Sequence, residues 1–287
     1  MEAIKKIDEV LKEVFKARPD DCHKGDFGYA ALVGGSLEYS GAIRLAAMAN
    51  AAVRSGAGVV TVAAPGSICP YIIPQILEST LYPLTDVSGE FVFVEEEFRK
   101  LAMRYDVIAV GMGIGNTGET KKAIQYLLEN YNGILIIDAD GLNALSRFED
   151  RTDMLKKSPA KIVITPHPGE YARLQTGNED AETFAGEAGC IVLLKGHVTT
   201  VTDGKETYHI DRGCAGMATG GSGDVLSGIL AAVCACHPDN LLEAAAAGAY
   251  INGAAGELAQ AESCDITMSA GDTANCVKKA ILEIRNN

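Results

Sequence analysis

A glycine-rich segment at residues 217–226 is the part of this sequence whose residue types most clearly suggest chemistry. Its glycines precede apolar residues at helical spacing, and a helix N-terminus with bare backbone N–H groups favours an anion such as a phosphoryl group. The Asp224 carboxylate would repel that anion, so its presence there suggests a chemical role. The role that suits it is to accept a hydroxyl proton. The segment therefore predicts an anion hole at Gly221, Ser222 and Gly223. Asp224 is the predicted general base, and an ordinary helix cap is the alternative.

A second glycine loop follows the apolar run at residues 107–110. Gly113, Gly115 and Gly118 satisfy the G-x-G-x-x-G fingerprint of dinucleotide-binding folds. Asp138 stands at the distance of the acidic residue that binds the ribose in such folds. The fingerprint normally opens its domain, whereas at least two predicted strands precede it here. The favoured interpretation is a loop that lines a cleft at the carboxyl edge of a sheet. A redox or non-catalytic NAD-binding protein remains an alternative.

Polar side chains follow three predicted strands. Asp138 and Asp140 come directly after one strand, where metal binding and helix capping are both open. His167, held between two prolines, and Glu170 follow the next strand, and a histidine in such a rigid turn is more typical of a site than of a core. Residues 195–199 follow a further strand, and their lysine and threonine could contact phosphate or an adenosine. An exposed turn is the alternative for residues 195–199.

The predicted elements that position these loops are typical of a doubly wound α/β fold. Continuous apolar runs, typical of parallel strands buried on both faces, lie at residues 30–33, 59–62, 107–110, 134–137, 162–164 and 191–194. Helices are expected at residues 4–15, 40–55, 92–104 and 117–131 and throughout the chain after Gly220. A hairpin is expected over 198–210, with its turn at Asp203 and Gly204. We expect a single domain, because no linker or repeat interrupts the pattern.

Composition excludes several classes of function. With 25 Lys and Arg against 38 Asp and Glu, the net charge of −13 opposes nucleic acid and anionic membranes. No apolar run approaches the ~18 residues of a membrane span, and the chain opens with charged residues rather than a secretory signal. The eight cysteines lie mostly in apolar segments, which is typical of reduced thiols. A soluble, cytoplasmic protein that binds small molecules is therefore expected.

Taken together and in order, six segments resemble the ATP/ADP-dependent NAD(P)H-hydrate dehydratases, metabolite-repair enzymes of the ribokinase-like superfamily. These segments are residues 23–28, 33–36, 54–58, 138–143, 165–174 and 218–226. One departure is Met112, which stands where the family usually has proline. The resemblance implies a ribokinase-like three-layer sandwich with a mostly parallel sheet and helices on both faces. It implies one domain over residues 1–287, with an N-terminal helix at 1–20 and without the epimerase domain of many bacterial relatives.

The resemblance also implies a reaction and a set of site residues. The ring hydroxyl of hydrated NADH or NADPH would be phosphorylated with ATP or ADP and then lost as phosphate, with Mg²⁺ and a homo-oligomeric, tetrameric enzyme. Contact with the hydrate is implied for Ala42, Gly113, His167 and Asp224. Contact with the nucleotide is implied for Lys195, Gly196, His197, Val198, Thr199 and Gly223. Glu170 and Asp138 are candidates to organise Mg²⁺. A kinase of the same fold that stops at the phosphate ester of a small hydroxylated heterocycle is the other alternative.

Overall fold

The computed structural model describes residues 6–48 and 57–286, and the apolar runs in these ranges form one large sheet. The strands there are β1 (Tyr29–Val33), β2 (Val59–Pro65), β3 (Thr80–Leu84), β4 (Asp86–Val87), β5 (Glu90–Phe91), β6 (Val107–Val110), β7 (Ile134–Ile137), β8 (Lys161–Ile164), β9 (Ile191–Leu194), β10 (Thr199–Thr202) and β11 (Thr207–Ile210). The helices there, apart from short 3-10 turns, are α1 (Ile7–Val14), α2 (Ser40–Met48), α3 (Cys69–Ile72), α4 (Glu95–Arg104), α5 (Gly118–Asn130), α6 (Asp140–Leu145), α7 (Arg151–Lys157), α8 (Pro168–Leu174), α9 (Ala181–Ala188), α10 (Ser222–Cys236), α11 (Leu241–Glu262) and α12 (Ala270–Asn286).

The main sheet has nine strands in the order β11-β10-β9-β8-β7-β6-β1-β2-β3. Neighbours from β3 to β9 are parallel, whereas β10 pairs antiparallel with both β9 and β11. The chain runs outward from β1 to β3 and then returns to place β6 on the other side of β1. Ligands of open α/β sheets bind beyond the carboxyl ends of the strands at such a reversal, so the β1/β6 edge is where a cleft is expected.

Both faces of the sheet are covered, as the continuous apolar runs predict. Successive side chains of a strand point to opposite faces. Accordingly, Ala30 and Leu32 of β1 belong to one apolar cluster with α10 and α11, and Ala31 and Val33 belong to a second cluster with α4 and α5. The prediction of a mostly parallel sheet between two helical layers is confirmed.

Helix α10 is unusual because every residue from 225 to 235 is buried. An α-helix that is hydrophobic all round belongs to the interior of a protein. Its middle turns therefore lie deep in the helical layer, while its N-terminal turn lies at the carboxyl edge of the sheet beside β7 and β9. No helix in the described ranges is long and apolar enough to cross a membrane.

Several element boundaries differ from the sequence expectation. Strand β3 was not predicted, because it is an edge strand with half-exposed residues and Pro83 in its middle. The helix expected at 92–104 begins only at Glu95, where three glutamates occupy the first turn and suit the helix dipole. The predicted helix at 40–55 is described only to residue 48, so its second half lies outside the described residues, as do residues 54–56 of the motif at 54–58.

Candidate active site

The loops that follow β1 and β6 meet at the switch point of the sheet, where a cleft is expected. The N–H of Gly35, after β1, donates to the carbonyl oxygen of Met112, after β6, at 2.8 Å. Gly113 then turns with φ +64°, and a β-carbon there would lie 2.7 Å from Cβ of Tyr39 and 2.8 Å from Cβ of Ala42. Glycine is required at this position, because both the positive φ and the close approach exclude a side chain. Gly113 and Ala42, both predicted to contact the substrate, are therefore neighbours.

Helix α2 connects this loop to the glycine-rich segment. Ala42 and Leu45 are one helical turn apart and lie on the same side of α2. Leu45 packs against Gly221, which has φ +98° and would clash with the leucine if it carried a β-carbon. The two glycine loops of the sequence thus contact the same side of one turn of α2.

The first turn of α10 presents a carboxylate and backbone donors together. The helix begins at Ser222, so the N–H groups of Ser222 and Gly223 have no intrahelical partner. Asp224 is half-buried, and no hydrogen bond to its carboxylate occurs within the part of the chain that the structure describes. Burial and then the negative charge of Asp138 raise the pKa of the Asp224 carboxyl to about 7, although the Lys195 ammonium acts in the opposite direction. A carboxylate of this kind is suited to accept a proton near neutral pH.

Asp138, by contrast, is fully engaged. Its side chain is 2% exposed, and its Oδ1 accepts hydrogen bonds from Thr165 Oγ1 at 2.8 Å and Lys195 Nζ at 3.0 Å. Its Oδ2 accepts from Ser227 Oγ at 2.7 Å, which fastens α10 to the end of β7. Burial alone would raise the pKa of the Asp138 carboxyl, but the Lys195 charge and these hydrogen bonds outweigh burial and lower it. Asp138 is therefore held as an anion.

The engagement of Asp138 excludes the dinucleotide interpretation of the fingerprint at residues 113–118. An acidic residue that binds a ribose must offer its oxygens to the 2′-hydroxyl group. Here both carboxylate oxygens of Asp138 are buried and bonded to protein groups. The third motif position also differs, because Gly118 opens helix α5 and faces open space. The redox alternative therefore lacks its ribose ligand, and the favoured interpretation of a loop that lines a cleft stays a prediction.

Lys195 lies at the centre of the charged groups. Its Nζ is 3.0 Å from Asp138 Oδ1 and 3.8 Å from Glu170 Oε2, and its side chain is 23% exposed. Burial lowers the pKa of Lys195, but the charges of Asp138 and Glu170 overcome this and raise it, so the ammonium is retained. A β-carbon on Gly223 would lie 3.4 Å from the same Nζ. The ammonium therefore borders the predicted anion hole.

The motif at residues 165–174 places His167 and Glu170 at the start of α8 in a reciprocal cap. His167 Nδ1 accepts from the N–H of Gly169 at 3.0 Å, and the His167 N–H donates to Glu170 Oε2 at 2.8 Å. The imidazole is about half exposed, with 52% of its side chain accessible. The predicted contact of His167 with substrate stays a prediction, and its Nε2 lies 3.6 Å from Glu170 Oε1.

The loop between β7 and α6 is strained. Ala139 has φ +45°, a left-handed conformation that a non-glycine residue rarely adopts. It separates Asp138 from Asp140, whose Oδ2 accepts from the Gly115 N–H at 2.9 Å. Burial raises the pKa of Asp140. Because of this strained turn, Asp138 lies beneath α10, whereas Asp140 binds the loop that contains Gly115.

A cavity of about 420 Å³ lies beside Lys195 and is the candidate nucleotide site. Its walls include most of the residues that the resemblance assigns to the nucleotide, namely Lys195, Gly196, His197, Thr199 and Gly223. Val198 is not among its lining residues and is 42% exposed. The cavity begins at the first turn of α10, so an occupant there would have one end against the anion hole.

Sequence reasoning missed the opposite wall of this cavity. That wall contains residues 211–215, together with Ala249, Asn252 and Gly253 from α11. Arg212 is fixed there by Glu257, whose Oε1 accepts from Arg212 Nε at 2.9 Å. Asn252 is a buried polar residue in an alanine-rich and glycine-rich helix, and its Oδ1 has no hydrogen-bond partner among the described residues. A lone asparagine in such a helix is the sequence feature that could have indicated this wall of the cavity.

Replacing Gly223 with valine is expected to weaken adenine-nucleotide binding at least about tenfold while changing stability by less than about 1 kcal/mol. The new Cβ would lie 3.4 Å from Lys195 Nζ and 3.8 Å from Asp138 Oδ2, so the side chain would narrow the cavity beside Lys195. Calorimetric titration and thermal unfolding measure the two effects. Gly118→Val, at another glycine that opens a helix and faces open space, is the matched control. Unchanged nucleotide affinity in Gly223→Val would show that this loop is not the anion hole.

Comparisons with known proteins identify the family. The family model described as NAD(P)H-hydrate dehydratase matches residues 30–279. The chain is 36% identical over 264 residues to the bifunctional NAD(P)H-hydrate repair enzyme of Pyrobaculum aerophilum, covering 85% of this chain and 49% of that protein. It is 36% identical over 287 residues to the ADP-dependent (S)-NAD(P)H-hydrate dehydratase of Neisseria meningitidis serogroup B, covering 95% and 90%. The chain thus spans about half the length of the bifunctional relatives and most of the monofunctional one.

Solved structures agree in fold. A ribokinase-like superfamily protein from Enterococcus faecalis superposes with a TM-score of 0.81 and 26% identity, covering 98% of this chain and 95% of that one. The ADP/ATP-dependent NAD(P)H-hydrate dehydratase of Bacillus subtilis, co-crystallised with ATP and Mg²⁺, has a TM-score of 0.81 and 25% identity, covering 96% and 97%. The predicted ribokinase-like fold and the family resemblance are both confirmed. On its sequence and its fold, this chain belongs to the NAD(P)H-hydrate dehydratase family.

Proposed function

We propose that the protein converts hydrated NADH or NADPH back to NAD(P)H with an adenine nucleotide as phosphoryl donor. The observation that carries this proposal is the unpartnered Asp224 carboxylate beside the free N–H groups of α10 and the Lys195 ammonium. A base, an anion hole and a fixed cation at one point are the parts that transfer of a phosphoryl group to a hydroxyl requires. Family membership supplies the substrate class.

In the first step Asp224 accepts the proton of the ring hydroxyl group, and the hydroxyl oxygen attacks the terminal phosphorus of the nucleotide. The P–O bond to the leaving nucleotide breaks, and the N–H groups of the glycine loop with Lys195 stabilise the transferring phosphoryl group. The ring nitrogen lone pair then expels phosphate as the C–O bond breaks, and the neighbouring carbon loses a proton to solvent as the ring C=C bond forms. Phosphorylation thus makes a poor leaving group a good one.

The two ligands are proposed to bind at different places, the hydrate at the β1/β6 edge and the nucleotide in the cavity beside Lys195. The hydrate would lie in the cleft at the β1/β6 edge, against Gly113 and Ala42, with its hydroxyl toward Asp224. The nucleotide would occupy the cavity beside Lys195, with its terminal phosphate at Gly223. This arrangement brings the two reacting atoms together at the first turn of α10.

The direct test is to add hydrated NADPH with ATP, with ADP or with neither and to follow absorbance in the reduced-nicotinamide band. Recovery of absorbance that depends on a nucleotide supports the dehydratase, and comparison of the two nucleotides identifies the donor. Nucleotide consumption that leaves a stable phosphate ester, with no absorbance recovered, would instead show a kinase that stops at the first step. No turnover with either nucleotide would contradict the proposal.

The pH dependence of the reaction is expected to report Asp224. The base acts only when ionised, so kcat/KM should be level above pH 7 and fall about tenfold per unit below the pKa of about 7. An ordinary aspartate would place this fall near pH 4. The profile is measured at saturating nucleotide, and Asp224→Asn is the control, because its residual rate should lack the inflection. A wild-type profile with no inflection between pH 6 and 8 would contradict the assignment.

The proposal also covers the cellular compartment and the oligomeric state of the enzyme. All eight cysteines are free thiols, which supports a reducing compartment such as the cytoplasm. Burial raises the pKa of Cys190 and Cys234 to about 12, so these thiols resist oxidation. A homo-oligomer, by analogy with the family, stays a prediction that light scattering of the purified chain would test.

A further inference from the structure

Lys195 occupies the position between the two carboxylates that the resemblance suggests for magnesium. Its Nζ is 3.0 Å from Asp138 Oδ1 and 3.8 Å from Glu170 Oε2. We infer that the Lys195 ammonium is the resident cation of this site and replaces a protein-bound magnesium ion, so that magnesium enters only with the nucleotide. This inference rests on the proposed function only in assuming that a nucleotide binds beside Lys195.

The carboxylate oxygens do not fit a bound magnesium ion. Magnesium requires near-octahedral oxygen ligands at about 2.0–2.1 Å. Asp138 Oδ1 already accepts from Thr165 and Lys195, and Asp138 Oδ2 accepts from Ser227. Glu170 Oε2 accepts from the N–H of its own helix cap. Within residues 6–48 and 57–286, no group of three or more His, Cys, Asp or Glu side chains could hold a metal ion.

The charge balance leads to the same conclusion. Two buried carboxylates need a counter-charge, because a buried anion without a partner is strongly unfavourable. Lys195 supplies one positive charge permanently as part of the chain, and a divalent ion between the same carboxylates would have to displace this ammonium.

Placed there, the ammonium is a fixed positive charge at the entrance of the anion hole. Stabilisation of a transferring phosphoryl group needs positive charge that is in place before the reaction. A lysine held by two carboxylates meets this need without a metal site on the protein, because its position does not depend on metal concentration. The magnesium that accompanies the nucleotide would then be held by phosphate oxygens and water.

The inference is tested by titrating Mn²⁺ into the whole protein without nucleotide or hydrate and measuring free Mn²⁺ by electron paramagnetic resonance. We expect no stoichiometric site in wild type, and Mn²⁺ binding in Lys195→Gln that wild type lacks, because loss of the ammonium frees one position on Asp138 Oδ1 and leaves two carboxylates without their cation. The double variant Lys195→Gln with Glu170→Gln should lose that site again. A stoichiometric wild-type site that Glu170→Gln removes would overturn the inference, and so would a folded Lys195→Gln protein that gains no site.

A second measurement does not require the Lys195 variant to fold. Glu170→Gln keeps an oxygen that can accept from the His167 N–H, so the helix cap is preserved. Its affinity for Mn²⁺ in the complex with a non-hydrolysable ATP analogue should stay within about twofold of wild type, whereas a lost metal ligand would cost about tenfold or more. The tenfold loss would overturn the inference. Neither titration needs turnover, so failure here is distinguishable from failure of the proposed dehydratase activity.

Discussion

Asp224→Asn should reduce turnover by ~10²–10⁴-fold, the usual contribution of a general base, while the fold and nucleotide affinity persist. The amide has the same shape but cannot take the hydroxyl proton. Because the Asp224 carboxylate accepts no hydrogen bond within the described residues, its replacement breaks no hydrogen bond there. Single-turnover kinetics with hydrated NADPH, together with thermal unfolding and nucleotide titration, separate a chemical defect from a structural one.

The control for this prediction is the same substitution at a true helix cap. Asp180 caps α9 by accepting from the Thr183 N–H at 2.9 Å, and asparagine caps helices equally well. Asp180→Asn should therefore leave turnover unchanged. If Asp224→Asn behaves like Asp180→Asn, Asp224 is only a residue of the first helical turn, and the base must be sought elsewhere in the cleft.

Asp138→Ala should destabilise the protein by about 3–5 kcal/mol, because it removes one partner of a buried ion pair and leaves the Lys195 ammonium facing Glu170 alone. It also leaves Ser227 and Thr165 without their acceptor. Turnover should fall as well, since the start of α10 is no longer fastened to β7. Denaturant unfolding measures the free energy, and nucleotide titration of the remaining folded protein shows the effect on the site.

The matched control is an ion pair on the surface. Asp153 and Lys157 lie 3.2 Å apart on α7, with side chains 65% and 77% exposed. Exposed pairs of this spacing contribute little, so Asp153→Ala should leave the unfolding midpoint nearly unchanged. Equal effects of the two substitutions would mean that the Asp138 network does not hold the site together.

The sheet and the loops at its carboxyl edge were predictable from the sequence for a physical reason. A strand buried on both faces must be apolar throughout, so β6, β7 and β9 are visible as uninterrupted runs. Parallel strands bring their carboxyl ends to one edge, and this places the residues after each run in a common site. Asp138, Thr165 and Lys195, each the first residue after its strand, meet there.

The pairing of those residues was not predictable. Lys195 and Asp138 are 57 positions apart, and nothing local shows which charges will meet or which anion will be left unpartnered. The two acidic residues Asp138 and Asp224 look alike in the sequence, yet only packing decides that one is fully bonded and the other free to act. The Arg212 side of the cavity was missed for the same reason, because it depends on the contact of residues 211–215 with α11.

The burial of α10 on all sides restricts how the enzyme can be controlled. Local unfolding elsewhere in a protein can release a catalytic group at little cost when the group sits on a frayed or exposed segment. Here every residue from 225 to 235 is packed in the interior, and Asp224 directly precedes this stretch, so unwinding of α10 beyond its first turn would open the core itself. A partner or modification that moves the base further than this first turn would have to compete with global unfolding. Control of the proposed activity is therefore expected to act at the first turn of α10 or on access to the substrate loop beside the half-exposed Tyr39.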